Sequence, residues 1–228
     1  MIELQRGALE SQDAAWADQS WLRTESLAAL AELNEQCLEL LCEQAASAVT
    51  GRPRPPLMTQ LEPLWRALDA PARRRAARCP FLLVDAGLEL GSDRLASGAL
   101  GVRERDWGRL PDPFFTVART VSVTRLVLAY AWHLVRSEGA AARLFLGLSR
   151  VCAASFAACT LRQVMQIAEN DPGLIKPRWP QRVQVWRELL GAAVGADPLA
   201  LEQSRMRGLQ LLAADARACE LKAAQRPR

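Results

Sequence analysis

Apolar residues recur with a helical period along most of the chain. From Glu25 to Ala46, leucines and cysteines return every three or four positions while glutamates occupy the other faces, which predicts an amphipathic helix. Three prolines between residues 50 and 56 end this helix and predict an extended linker. A second helical stretch covers residues 57–68, and Asp69 is placed to cap a third helix that continues through Arg78.

The pattern changes near the middle of the chain. Residues 81–84 form a short apolar run that fits either a buried strand or a turn of helix, and periodicity does not separate the two. Residues 87–108 are richer in glycine and charge, and Pro111-Asp112-Pro113 follows them, so this region is predicted as a loop. We therefore expect an N-terminal helical region over residues 1–112 and a second helical domain over residues 113–228.

The second half returns to the helical period. A Thr160-x-x-Gln163 pattern directly precedes an apolar-periodic run, which is the capping-box pattern of a helix start. The last predicted helix places Leu199, Met206, Leu209 and Ala213 along one stripe. The predicted helices of this half span residues 114–135, 140–158, 161–169, 181–194 and 198–224. The expected fold class is all-α and multi-helix.

Composition limits the possible classes of protein. Half of the 228 residues are hydrophobic, enough for a packed core, while 24% are charged and no run of 18 apolar residues occurs. A membrane-spanning protein is therefore not expected. The first ten residues carry Glu3, Arg6 and Glu10 where a signal peptide needs an apolar segment, so we expect a cytoplasmic location.

The charge balance permits a nucleic-acid partner without requiring one. The net charge is +4 and the sequence pI is about 8.9. Nearly all cations are arginines, since Lys176 and Lys222 are the only lysines. Together with heavy use of alanine and leucine, this is typical of coding bias in a GC-rich genome, so arginine abundance alone indicates no function.

Candidate catalytic and metal-binding chemistry is sparse. The six cysteines form no CxxC pair and are interpreted as buried structural thiols, which argues against a zinc site. The single histidine, His133, is interpreted as a half-buried core residue because it lies within an apolar helical segment. No glycine-rich nucleotide loop, HExxH or EF-hand pattern occurs. We expect no enzymatic activity, no metal and no cofactor.

Two segments of the second half resemble the FlhD family, the small helical subunit of the flagellar master transcriptional activator. They are AWHLVRSEGAAARLFLG from Ala131 to Gly147 and TLRQVMQIAENDPGLIKPRW from Thr160 to Trp179. The most specific matches, in the family's spacing without a gap, are Thr160, Leu161, Gln163, Ala168, Glu169, Arg178 and Trp179. The likeness covers about a third of the chain, roughly residues 116–190.

The resemblance implies a helical regulator that works on promoter DNA in a hetero-oligomer with an FlhC-like subunit. It implies dimerisation through N-terminal helices of the family fold and a helix-turn-helix-like later part. Two differences between this chain and the family limit which family properties can be expected here. Ile175 takes the position of the family's intersubunit cysteine, so no covalent dimer is expected, and residues 1–112 have no counterpart in the shorter family. A fusion, a diverged paralogue and a partner-independent regulator all remain open.

The residues of this segment also suggest DNA binding without reference to the family resemblance. A capped helix, a Pro-Gly turn and a second helix would form a helix-turn-helix, with cations near the start of the second helix to neutralise phosphates. The candidate DNA-binding residues are Lys176, Arg178, Trp179 and Arg182. The alternative is that Trp179 and Trp186 pack the helix pair while the cations only solvate its edge.

These observations predict a transcriptional regulator, or a subunit of one, acting as an oligomer on DNA. The candidate oligomer interface consists of Leu126, Leu128, Leu134, Leu144 and Leu146. The competing hypothesis is a helical protein–protein adaptor without DNA binding. Salt-sensitive DNA association separates the two, because an adaptor has no counterions to release.

Overall fold

The computed structural model describes residues 24–47, 54–88, 113–171 and 173–224 of the chain. Most of the predicted loop over residues 87–108, the boundary near residue 112 and most of the proline-rich linker lie outside these residues. The described helices are α1 (Thr24–Ala46), α2 (Pro56–Gln60), α3 (Glu62–Ala67), α4 (Ala70–Ala77), α5 (Thr120–Ser137), α6 (Gly139–Leu146), α7 (Arg150–Ala158), α8 (Leu161–Asn170), α9 (Val183–Val194) and α10 (Pro198–Ala224). The two strands are β1 (Val84–Asp85) and β2 (Lys176–Pro177). The described residues are mostly helical, which confirms the all-α class.

Helix starts follow the predicted caps. The Thr160 hydroxyl accepts from the Gln163 amide at 3.3 Å, and the Gln163 side chain accepts from the Thr160 amide at 2.8 Å, so the capping box is present. A carboxylate oxygen of Asp69 accepts from the Ala72 amide at 2.8 Å and caps α4. These four-residue patterns are local, and the structure confirms both of them.

Two predicted helices are each divided in two. The stretch over residues 140–158 breaks at Gly147, whose φ of 68° is left-handed, and α6 and α7 meet there at 116°. Ser149 then caps α7 by accepting from the Cys152 amide. The stretch over residues 57–68 breaks at Leu61, because Pro63 occupies the first turn of α3 and has no amide hydrogen to continue a helix.

The apolar run at residues 81–84 ends in a strand rather than a helix. Val84 pairs with Pro177 and Asp85 with Lys176 in an antiparallel arrangement. The amide of Arg178 donates to the Leu83 carbonyl at 2.9 Å and extends this contact. The pairing joins two segments that lie on opposite sides of the predicted boundary at residue 112.

One hydrophobic core includes residues from both sides of that boundary. Helix α5 runs through it and packs against α1, α6, α7 and α8, while α9 packs against α10, α4 and α3. Within the described ranges, residues 24–88 and 113–224 therefore form one packed unit.

Asn34 on α1 fixes the segment that leads into β1. Its side chain is fully buried, and its amide nitrogen donates to the carbonyls of Ala77 at 3.1 Å, Cys79 at 3.4 Å and Phe81 at 2.9 Å. Its amide oxygen accepts from the Leu83 amide at 2.9 Å. One side chain thus contacts four backbone groups of an irregular segment, and its two amide hydrogens are shared among three carbonyls.

Helix α10 buries a different stripe from the predicted one. Leu201, Gly208 and Leu212 face the core, whereas Leu199, Met206 and Ala213 are exposed to solvent. Gly208 allows this contact, since a Cβ at that position would lie 2.2 Å from the Phe81 ring. Of the four residues of the predicted stripe, Leu199, Met206 and Ala213 therefore lie on the outer side of the helix, whereas Leu209 is half-buried and packs against the core.

Candidate nucleic-acid interface

The candidate DNA-binding residues lie in the segment that connects α8 to α9. This connection runs from residue 171 to residue 182, much longer than the three- to four-residue turn of a helix-turn-helix. Helix α8 packs mainly against α5, and α9 packs mainly against α10 and α4. The geometry of the pair therefore differs from the predicted motif.

Arg178 is a structural cation, and its predicted role as a DNA contact is corrected. The side chain is only 8% exposed. Its guanidinium donates to the carbonyls of Leu82 and Leu146, each at 2.6 Å. Burial lowers the pKa of this guanidinium, and Asp85 and Asp215 oppose the shift. A cation whose donors are directed at buried carbonyls is not available to a phosphate.

Trp179 and Trp186 are also packing residues, although they pack against Phe81 and Trp65 rather than between α8 and α9 as the alternative interpretation held. The Trp179 ring meets Phe81 edge-on at 5.8 Å, and its indole nitrogen donates to an Asp215 carboxylate oxygen at 2.7 Å. Trp186 donates to the carbonyl of Arg178 at 2.7 Å. Trp179 adopts a φ of 49°, an uncommon left-handed conformation for a residue with a side chain.

The remaining two candidates reach the surface. Lys176 is half-exposed and its ammonium lies 3.6 Å from an Asp85 carboxylate oxygen, so part of its charge is compensated locally. Arg182 is exposed at the N-terminal end of α9. Arg182 lines a concave surface.

That surface is a groove of about 650 Å³ between α9, α10 and α2. Three arginines and three glutamines face it together with smaller apolar side chains. Its lining residues are Pro56, Gln60, Gln181, Arg182, Val183, Gln184, Val185, Arg187, Arg207 and Leu211. We call this surface the α9 groove.

The α9 groove carries excess positive charge. Arg207 is paired with Glu188, its guanidinium nitrogen lying 2.6 Å from a carboxylate oxygen, and Gln184 donates to the same carboxylate at 3.0 Å. Arg182 and Arg187 are exposed, and no ion pair of either is present among the described residues. Amide donors and arginine forks beside a helix N-terminus suit a phosphate-bearing or carboxylate-bearing ligand.

No local pattern predicted that Arg207 and Gln60 would lie beside Arg182 in this groove. Arg207 lies on α10 and reaches the groove only because α10 packs against α9. Gln60 comes from α2, more than a hundred residues earlier in the chain. Tertiary packing alone defines these neighbours.

The predicted oligomer interface is corrected for three of its five leucines. Leu128, Leu134 and Leu146 are buried in the protein's own core, because α5 and α6 are covered by neighbouring helices. Leu144 is half-buried, and Leu126 is 45% exposed. Of these five leucines, only Leu126 presents a large apolar surface to solvent.

The cysteines and the histidine lie apart from the α9 groove. Cys37, Cys79, Cys152 and Cys159 are buried, as predicted for structural thiols, and burial raises the pKa of Cys37 and Cys79 to about 12. Cys42 is half-buried, and Cys219 has no described side chain. His133 is exposed rather than half-buried, because its position on α5 faces away from the core. Among the described residues, no three histidine, cysteine or acidic side chains are grouped to hold a metal ion.

No single helix of the described ranges combines the length and apolar composition needed to cross a bilayer, although the bent pair α6 and α7 meets those criteria jointly.

Comparisons with protein-family models, with curated proteins and with solved structures found no match to this chain.

Proposed function

We propose that this protein is a DNA-binding subunit of an oligomeric transcriptional regulator of the FlhD type, without enzymatic activity, and that the α9 groove contacts the DNA backbone. The observation that carries the proposal is the presence of Arg182, Arg187 and Arg207 around one concave surface at a helix N-terminus. Arginine forks bind phosphate oxygens bidentately, and the partial positive charge of the helix start adds to their field.

In this mechanism the α9 groove fixes the position of the protein on the DNA duplex, and other contacts recognise the base sequence. Arg182 and Arg187 neutralise phosphates, while Gln60, Gln181 and Gln184 offer amide donors to neighbouring phosphates. Arg207 contributes less because Glu188 neutralises it. An FlhC-like partner subunit supplies the remaining base contacts, as the sequence resemblance implies.

The test compares charge reversal inside and outside the groove. In the native host, tagged Arg182→Glu/Arg187→Glu protein is expected to lose promoter occupancy measured by crosslinking and sequencing. Arg162→Glu, an exposed arginine on α8, is the matched control for each single variant, Arg182→Glu and Arg187→Glu, because it makes the same change of charge, and it is expected to keep the occupancy of the unmodified protein. With the assembled complex, the double variant should also lower the slope of log affinity against log salt by about one for each phosphate that is no longer neutralised.

Two outcomes would contradict the proposal. If the double variant occupies promoters as the unmodified protein does, the groove does not contact DNA. If Arg162→Glu loses occupancy to the same degree, net charge rather than the groove explains the effect.

The adaptor remains the second candidate, and exposed apolar side chains favour it. Leu126 and Val151 are 45% and 62% exposed, on α5 and α7 respectively. Such residues suit protein docking. Salt-independent association with a copurified protein and no chromosomal peaks would favour this function over the regulator.

A further inference from the structure

The outer side of helix α10 carries three large apolar side chains that nothing in the described chain covers. Leu199 is 69% exposed, Met206 50% and Leu221 58%. They are three of the seven large apolar side chains that are exposed among the described residues. At about 100° per residue they lie within about 40° of one line along the helix. The opposite side of α10, with Leu201 and Leu212, packs into the core.

The order of residues along this side is symmetrical about Gln210. Leu199 and Leu221 each lie eleven positions from it, Met206 and Ala214 each lie four positions from it, and the polar Gln203 and Arg217 each lie seven positions from it. All seven residues are exposed. We call this surface, defined by Leu199, Gln203, Met206, Gln210, Ala214, Arg217 and Leu221, the outer face of α10.

From this symmetry we infer that the outer face of α10 binds a second copy of the same chain, with the two helices antiparallel and the two-fold axis at Gln210. A two-fold interface requires that residue i of one copy meet residue j of the other and the reverse. Here Leu199 meets Leu221 of the second copy, and Met206 meets the small Ala214 of the second copy. A large side chain against a small one lets the helices approach closely.

The charges on this side of α10 favour the same arrangement. Glu202 lies towards its N-terminal end and Arg217 towards its C-terminal end, and both are exposed. In the antiparallel pair each Glu202 lies beside Arg217 of the second copy, and symmetry forms this contact twice. A parallel pair would place Glu202 beside Glu202 and Arg217 beside Arg217, which repel.

This inference deepens the oligomeric part of the proposed function, but it does not depend on DNA binding. The α9 groove is lined on one side by Arg207 and Leu211 of the same helix. Those two residues lie about 60° and about 100° around the helix from Gln210, whereas Glu202 lies about 80° from Gln210 in the opposite direction, so the groove and the charged edge of the contact are on different sides of α10. Dimerisation can therefore be measured without DNA.

The test is sedimentation velocity of the full chain from about 1 μM to about 200 μM, which brackets the micromolar dissociation constants expected of a small interface. The unmodified protein is expected to change from monomer to dimer over this range. Met206→Glu is expected to weaken the dimer by at least about tenfold, because it buries a charge at the centre of the contact. Val151→Glu places the same charge on another exposed apolar position and is expected to leave the dimer unchanged.

Charge reversal identifies the antiparallel geometry. Glu202→Arg and Arg217→Glu are each expected to weaken the dimer, and the double variant is expected to restore it.

A chain that stays monomeric over the whole range overturns the inference, as does a dimer that Met206→Glu leaves intact. A double variant weaker than either single variant overturns the antiparallel register. The Arg182→Glu/Arg187→Glu variant should dimerise normally, so failure of the DNA-binding proposal is distinguishable from failure of this one.

Discussion

Arg178 and Arg182 are four residues apart, yet the fold treats them in opposite ways. Arg178 is buried and its guanidinium donates to two carbonyls from other parts of the chain. Arg182 is exposed and lines the α9 groove. Both were candidates for phosphate contact on the same grounds of charge and position. The comparison shows that an arginine's partners, rather than its neighbours in sequence, decide whether it stabilises the fold or binds a ligand.

Replacing Arg178 should produce the largest effect on stability. Arg178→Met keeps much of the apolar length but leaves the carbonyls of Leu82 and Leu146 without their donors. Two charge-assisted hydrogen bonds disappear, and the free energy of unfolding should fall by about 3 kcal/mol or more. Urea denaturation followed by circular dichroism measures this decrease. Arg182→Ala is the matched control and should change the free energy of unfolding by less than about 0.5 kcal/mol; equal decreases would remove the distinction.

Crowding the contact beneath Trp179 should have the next largest effect. Gly208→Ala places a Cβ about 2 Å from the buried Phe81 ring, which in turn packs against Trp179. Over-packing of this kind costs about 1–3 kcal/mol and should lower the melting temperature. Gly191→Ala on α9 is the control, because a Cβ there meets no described atom within 4 Å. That substitution should be neutral or stabilising, since alanine is the better helix former.

Two substitutions of Asp215 distinguish the contribution of its hydrogen bond from that of its charge, and they should change the free energy of unfolding least. Asp215→Ala removes the acceptor of the Trp179 indole and should cost about 1 kcal/mol, as for one hydrogen bond. Asp215→Asn keeps an acceptor oxygen but removes a negative charge that raises the pKa of Arg178. Its cost in denaturant unfolding should be smaller than that of the alanine variant. An asparagine variant as unstable as the alanine variant would mean that the charge beside Arg178 matters more than the indole contact.

The sequence predicted what local chemistry determines. Four residues suffice to specify the cap at Thr160, and the structure has that cap. The break at Gly147 was missed although the sequence indicates it. A glycine is typical of a helix C-terminus and a serine of a helix N-cap, and Gly147 and Ser149 take these two roles. The helical period continues across both residues and concealed the 116° bend.

The candidate site depended on contacts that no local pattern contains. The carbonyl partners of Arg178 are 96 and 32 residues away in the chain, so its sequence surroundings predict neither. Arg207 joins the α9 groove only through the packing of α10 on α9. The outer position of Leu199 and Met206 was likewise missed, because periodicity gives the direction of a stripe relative to its helix but not which side meets the core.

The contacts of Asn34 restrict which amino acids can occupy its position. Its side chain donates to three carbonyls and accepts from one amide within a single buried pocket. Aspartate has no side-chain donor, leucine has neither donor nor acceptor, and glutamine carries its amide one methylene further from the backbone. Each of these single substitutions leaves backbone groups of the segment from Ala77 to Leu83 unsatisfied. Many core leucines can exchange for other apolar residues, but neither the charged isostere of Asn34 nor its longer homologue can take its place without losing these contacts.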